Sequence, residues 1–222
     1  MVRLSRRIIE KIPENMASIY EKATRMVVES YYGRVAEEIV SNLKYDTILD
    51  LGTGPGYLPI EMAKRSPFVK VDGIDLTREL INMAQENAVK AGVADRVHFE
   101  VGDAANLRFE DGSYGMVIST GMLHMLKDPV KVLRECYRVL RSGGEAWIYD
   151  PARVSSQIDK KRWKASFTFR ERLFYRLFTL GVLFNPLRTY KREEVIEMIS
   201  ATNFKEYWIE EGDGELKIRL RR

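Results

Sequence analysis

The segment Ile48-Leu49-Asp50-Leu51-Gly52-Thr53-Gly54-Pro55-Gly56-Tyr57 constrains this chain more than any other, because an apolar strand runs directly into a three-glycine turn and then a helix. Glycine reaches backbone angles closed to other residues and lets a ligand approach the main chain. Nineteen residues beyond Gly56 a second apolar run, Val69 to Ile74, ends in Asp75, which puts a carboxylate at the tip of the expected neighbouring parallel strand. A glycine turn beside an acid on the next strand marks a nucleotide-type pocket on an open α/β sheet.

Spacing narrows the ligand. A dinucleotide fingerprint, G-x-G-x-x-G, uses its third glycine for close helix packing, whereas here the glycines fall at 52, 54 and 56 and position 57 is Tyr. NAD is therefore disfavoured. Pro55 has no N–H and Pro59 falls in the first helical turn, so the helix starts near Tyr57 and the loop before it stays open. Such a loop suits a ligand without pyrophosphate.

Periodicity supplies the architecture. Leu4 to Lys11 and Ala17 to Leu43 have helical spacing interrupted at Pro13. Thr47 to Leu51, Val69 to Asp75, Val97 to Gly102, Tyr114 to Ser119 and Glu145 to Tyr149 read as strands, and Leu58 to Arg65, Arg78 to Ala91 and Pro129 to Arg141 as helices. A helix over Arg192 to Thr202 is followed by strands over Lys205 to Glu210 and Glu215 to Leu220, joined at Glu211-Gly212-Asp213-Gly214. The prediction is an α/β fold: a doubly wound, mostly parallel, seven-stranded sheet with an antiparallel C-terminal hairpin. The expected organisation is one domain over 1–222, with N-terminal helices covering the site (1–44), a cofactor-binding core (45–150), a cap insertion (151–191) and a C-terminal helix and hairpin (192–222).

Composition agrees. The 222 residues are 45% hydrophobic, enough for one sizeable core. No basic leader precedes a long apolar run, and no uncharged stretch approaches the roughly 20 residues that span a bilayer, so a cytoplasmic protein is expected. Cys136 is the only cysteine, which rules out an internal disulfide or a cysteine-based zinc site, and no metal is expected. Its place in the helical repeat Val130, Leu133, Tyr137, Leu140 favours packing over nucleophilic chemistry.

The run Asp50-Leu51-Gly52-Thr53-Gly54-Pro55-Gly56 resembles the first motif of class I S-adenosylmethionine-dependent methyltransferases. The wider layout, including Arg138-Val139-Leu140-Arg141-Ser142-Gly143-Gly144, is similar to the ubiquinone/menaquinone-biosynthesis-like group. The resemblance covers about Tyr31 to Asp150 and, loosely, the final thirty residues. It implies S-adenosyl-L-methionine as cofactor. Gly52, Thr53, Gly54 and Gly56 would then pass under its amino-acid and sulfonium part with Asp50 nearby. Asp75, followed by Leu76, would take the ribose hydroxyls. Within Gly102-Asp103-Ala104, Asp103 would bind the adenine amine, and Ser119 and Thr120 would open beside the methyl group.

Elementary chemistry is consistent with these roles. An ionised carboxylate accepts two hydroxyl protons at about 1.5 to 3 kcal/mol each, and a carboxylate is the acceptor an amine requires. Family members often place an aromatic residue from the N-terminal region against the cofactor, and Tyr20, Tyr31 and Tyr32 are available, with helix packing the preferred role for Tyr31. A ring face favours a sulfonium by roughly 0.5 to 2 kcal/mol.

Methyl transfer from a sulfonium asks the protein mainly to position its reactants. Proximity contributes roughly 7 to 11 kcal/mol, against about 3 to 5 kcal/mol from a general base. Where a base is used, His124, just after the fourth-strand loop, is the candidate; the competing reading is a residue that merely packs against the pocket.

From Pro151 to Arg192 there are eleven Lys and Arg against two acids, a local net charge of +9 in a chain whose total is +4. Leu173, Phe174, Leu177, Phe178 and Gly181 share one helical face there, with Arg170, Arg172 and Arg176 elsewhere on the helix, so this segment reads as a basic amphipathic cap. It could serve as a lid or dimer helix, as a pocket wall for an apolar or anionic acceptor, or as a contact for lipid or nucleic acid. DNA amino-methyltransferases carry an Asp/Asn-Pro-Pro-Tyr-like tetrapeptide where this chain has Ser119-Thr120-Gly121-Met122, which disfavours nucleic-acid substrates. The leading expectation is methyl transfer to a small-molecule acceptor, anionic or partly apolar, with no membrane span and a homodimer left open. The alternatives are a cofactor-binding protein of the same fold with another activity or none, and a methyltransferase that reaches nucleic acid or lipid through the cap.

Overall fold

The computed structural model describes residues 10–26, 28–152, 189–212 and 214–222. Seven strands, β1 (Thr47–Leu51), β2 (Lys70–Asp75), β3 (Val97–Val101), β4 (Tyr114–Thr120), β5 (Leu140–Pro151), β6 (Glu206–Gly212) and β7 (Glu215–Arg221), form one sheet in the order β3-β2-β1-β4-β5-β7-β6. The first five are parallel, and β7 runs antiparallel to both β5 and β6, as the turn chemistry near Gly212 predicts. The strand order reverses between β1 and its neighbours β2 and β4, the switch point at which open α/β sheets bind ligands.

Helices α1 (Ala17–Arg25), α2 (Gly33–Ser41), α3 (Tyr57–Arg65), α4 (Arg78–Ala91), α5 (Pro129–Val139) and α6 (Arg192–Ser200) flank the sheet. Alternation along β1 explains the two-sided core. Ile48 packs in a cluster with α2, α3 and α4, while Leu49 and Leu51 pack in a second cluster with α5 and α6. Local chemistry sets the helix ends: Asp128 caps α5 by accepting from Lys131 N at 3.0 Å with Pro129 next in line, and Gly92 closes α4 at φ +70°. No helix among the described residues is long and apolar enough to cross a membrane.

Two boundaries depart from the periodicity. The helical pattern over 17–43 is broken by a π turn, Val28–Tyr32, between α1 and α2. Tyr31 and Tyr32, adjacent in sequence within this turn, both pack against the same core cluster. The helix expected to reach Arg141 stops at Val139, and β5 starts at Leu140 rather than Glu145. Leu140 pairs with Tyr114 before the register shifts, and a Cβ at Gly144 would lie 2.9 Å from the carbonyls of Arg141 and Gly115, so glycine lets the strand pass. Most of the helix read over Leu4 to Lys11, and the basic amphipathic stretch of the cap, lie outside the described residues; Glu10 and Lys11 are not helical.

Candidate active site

The glycine turn is built by main-chain contacts to the neighbouring strand. Gly52 N and Thr53 N both donate to Ile74 O at 2.9 Å, and Gly54 N donates to Asp75 Oδ2 at 3.1 Å. Gly52, Gly54 and Gly56 have φ of +71°, +55° and +77°, left-handed conformations that account for their alternate spacing. Space is equally tight. A Cβ at Gly52 would lie 2.8 Å from Met122 Sδ, and one at Gly56 would lie 2.7 Å from Phe99 Cζ.

Asp50 ends β1 beneath this loop, 2% exposed, and its Oδ1 has no hydrogen-bond partner. Burial pushes its carboxyl up to about 7, opposed by the neighbouring Thr53 hydroxyl and reinforced by the Asp75 charge. A buried acceptor without a donor is costly, so the site suits a ligand that brings one. The amino group of S-adenosyl-L-methionine is such a donor. At the tip of β2, Asp75 accepts from Gly54 N and, through Oδ1, from Thr77 N at 2.8 Å. Burial raises its carboxyl, and these backbone donors pull it back.

The N-terminal strap lies over this edge. Thr77 Oγ1 donates to Ile12 O at 3.0 Å, Glu79 N donates to Glu14 Oε2 at 3.1 Å, and Lys127 N donates to Glu10 Oε1 at 2.8 Å. Tyr20 packs on the glycine turn, its Cε1 standing 3.6 Å from where a Gly54 Cβ would sit. Tyr32 lies 6.4 Å from Tyr57 between ring centroids, and its phenol is raised by burial and by the nearby Tyr20, Asp50 and Tyr57, while a hydrogen bond with Thr120 lowers it. Tyr31 packs edge-on against Tyr32, with centroids 5.2 Å apart.

The remaining sequence candidates are more dispersed. Asp103 is exposed at the end of β3, its Oδ1 accepting from Ala105 N at 2.8 Å, with Ala104 buried beside it and Gly102 against Ile74. Leu76 is half-buried after Asp75. Ser119 Oγ donates to Leu51 O at 3.1 Å inside the sheet, so that hydroxyl already has a structural partner.

His124 sits in a 3₁₀ turn, Leu123–Met125, after β4, and its partner was not foreseen from sequence. Its Nδ1 is 3.0 Å from Asp150 Oδ1, and its backbone N donates to Asp150 Oδ2 at 3.1 Å. An ionised carboxylate only accepts, so its partner in this contact is an Nδ1–H, which leaves Nε2 as the ring atom not engaged by Asp150. Burial pushes Asp150 up, and the hydrogen bonds from His124 and Leu123 oppose it. Asp150 had a signal in the sequence: like Asp50, Asp75 and Asp103, it is an acid at the end of an apolar strand. Among the described residues no group of three or more His, Cys, Asp or Glu could hold a metal.

A sheet of this order with a glycine turn and acids along its carboxyl edge defines a Rossmann-like protein that binds a nucleoside cofactor. Residues 42–212 match the family model described as a methyltransferase domain, and the chain belongs to that family, within the class I group that uses S-adenosyl-L-methionine. It is 36% identical over 121 residues, 53% of this chain and 44% of the relative, to 27-O-demethylrifamycin SV methyltransferase of Amycolatopsis mediterranei. It is 26% identical over 206 residues, 89% of this chain and 84% of the relative, to the ubiquinone/menaquinone biosynthesis C-methyltransferase UbiE of Geotalea daltonii. A solved structure from Methanococcus maripaludis superposes with a TM-score of 0.75 at 22% identity, covering 100% of this chain and 97% of that one, which bears on the fold. The chain spans about half the length of several curated relatives, 44% and 52% in two of them.

Proposed function

We propose that this protein transfers a methyl group from S-adenosyl-L-methionine to a hydroxyl of a small-molecule acceptor, with His124 as general base and Asp150 holding it. The buried contact between His124 Nδ1 and Asp150 Oδ1, 3.0 Å long, carries this reading. In the tautomer with its proton on Nδ1, facing the Asp150 carboxylate, the ring can take a proton at Nε2, and a hydroxyl is the acceptor that gains most from losing one as its oxygen attacks. The relative named for 27-O-demethylrifamycin SV supports an oxygen acceptor.

When bound, the cofactor supplies a methyl group already activated on a sulfonium that leaves as a neutral thioether. The chain's residues bind and orient. Asp50 accepts from the cofactor's amino group, Asp75 from the ribose hydroxyls and Asp103 from the adenine amine. Tyr20 and Tyr32 close over the glycine turn and exclude water. The excess of Lys and Arg between Pro151 and Arg192 supports an acceptor with an anionic group.

Incubation with methyl-labelled S-adenosyl-L-methionine and a panel of phenols, alcohols and amines tests the reading. Label in methyl ethers formed from the phenols or alcohols, lost in His124→Ala, supports it. Label confined to amines removes the oxygen acceptor, and cofactor binding with no transfer to any acceptor favours a binding protein of the same fold.

A further inference from the structure

Twelve residues, 102–113, join β3 to β4 without helix or strand, and loops of this length in compact domains commonly serve function. This loop opens with Asp103. Leu107 and Ala104 are both buried, each 7% exposed, which anchors its apolar side to the core. Its polar side is held separately, by two residues one turn apart on α5.

Arg138 Nη2 donates to Leu107 O at 2.9 Å, and Nη1 donates to Phe109 O at 2.8 Å and to Asp111 Oδ1 at 2.7 Å. The Arg138 carbonyl accepts from Gly112 N at 2.9 Å. Glu135 Oε2 accepts from Leu107 N at 2.8 Å and from Arg138 Nη2 at 2.8 Å, while its Oε1 accepts from Arg138 Nε at 2.9 Å. Leu107, Phe109, Asp111 and Gly112 are thus tied to one helical turn by a guanidinium and a carboxylate that also grip each other. Ion pairing with Glu135 and Asp111 raises Arg138, and Arg138 lowers Glu135, so both stay charged. A planar guanidinium with several fixed donors sets direction as well as distance.

We propose that Arg138 and Glu135 are positioning residues for nucleobase recognition: by fixing the loop after β3 they aim the Asp103 carboxylate at the exocyclic amine of adenine, and so set the preference for adenosyl over inosyl ligands. The proposal rests on the adenine role assigned to Asp103. The local turn occupies Asp103 Oδ1 with Ala105 N, and Asn106 N donates to Asp103 O at 2.9 Å, so the orientation of this carboxylate follows the loop backbone that Arg138 and Glu135 hold.

Calorimetry with S-adenosylhomocysteine and S-inosylhomocysteine separates positioning from simple stabilisation, because a variant that merely loosens the fold weakens both ligands alike and leaves their ratio unchanged. The unsubstituted protein is expected to prefer the adenosyl ligand at least about tenfold. Arg138→Met and Glu135→Gln are expected to shrink that preference to within about threefold, as Asp103→Ala does directly. A preference that survives in both α5 variants while Asp103→Ala abolishes it overturns the proposal and leaves the Asp103 assignment standing. A preference absent from the unsubstituted protein, or retained in Asp103→Ala, removes the adenine reading itself and this proposal with it. Should Arg138→Met fail to fold, Arg138→Lys, which keeps the charge but carries its three donors on one nitrogen and cannot span the five acceptor atoms the guanidinium reaches, is read by the same ratio.

Discussion

His124 and Asp150 meet at two points: Nδ1 lies 3.0 Å from Oδ1, and the histidine's backbone N–H lies 3.1 Å from Oδ2. One carboxylate therefore orients both the ring and the turn that carries it. His124→Ala is expected to lower kcat toward a hydroxyl acceptor by about 10²- to 10⁴-fold. Asp150→Asn should fall in the same range, because an amide can donate to Nδ1 and reverse the tautomer. Steady-state kinetics with affinity for S-adenosylhomocysteine measured alongside checks this; affinity should stay within about threefold in His124→Ala, and a loss of affinity matching the loss of kcat would count against a base.

Asp50 predicts a pH dependence with a definite sign. Its carboxyl in the folded chain is raised to about 7 from the ordinary 3.8, so the stability it contributes without cofactor is fully present near pH 4 and is lost as pH rises through 7. Asp50→Asn should therefore melt higher than the unsubstituted protein at pH 8, with the difference closing toward pH 4. Cofactor affinity should move the other way, strengthening between about pH 6 and 8 as the carboxylate forms, and this slope should vanish in Asp50→Asn. Thermal melts and calorimetry across that range give both readouts.

Asp75→Ala should weaken S-adenosylhomocysteine binding far more than His124→Ala, because it removes the proposed ribose acceptor and the partner of Gly54 N and Thr77 N together. The two charge-assisted bonds to the ribose hydroxyls, at about 1.5 to 3 kcal/mol each, imply a loss of at least about a hundredfold. Calorimetry showing the reverse ranking of the two variants would contradict this map of the site.

The glycines divide by what surrounds them. At Gly56 a Cβ would meet Phe99 Cζ at 2.7 Å and Ala84 Cβ at 2.9 Å with φ at +77°, whereas at Gly92, φ +70°, nothing lies within 4 Å. Gly56→Ala should cost about 2 to 4 kcal/mol and Gly92→Ala about 1 kcal/mol, the difference being overpacking added to backbone strain. Urea unfolding measures both.

Cys136 is 1% exposed, and burial pushes its thiol up to about 12. It should resist an aromatic disulfide reagent in the folded protein and react at once in denaturant. Fast reaction under native conditions would show that the contact between α5 and the sheet opens.

Much of this was readable along the chain because it is local. Apolar alternation, the glycine turn and the acids at strand ends depend on neighbours in sequence, and they yielded the seven strands, their mostly parallel order and the Asp-Gly hairpin. The π turn and the early start of β5 were not readable, since each goes with contacts distant in sequence: Tyr31 and Tyr32 pack on a cluster built from the sheet and its helices, and Leu140 pairs with Tyr114.

The kind of cofactor was legible in the glycine spacing and the acid on the second strand, because room for close backbone approach and a carboxylate at a strand tip are written residue by residue. Pairing across the fold is another matter. His124 and Asp150 are separated by 26 positions, and Glu135 and Arg138 reach a loop that begins more than twenty residues before them. Only the parallel packing of β4 against β5, with α5 folded back over the sheet, brings these side chains within hydrogen-bond distance, so the contact between His124 and Asp150 and the hold on the loop after β3 are properties of the tertiary structure.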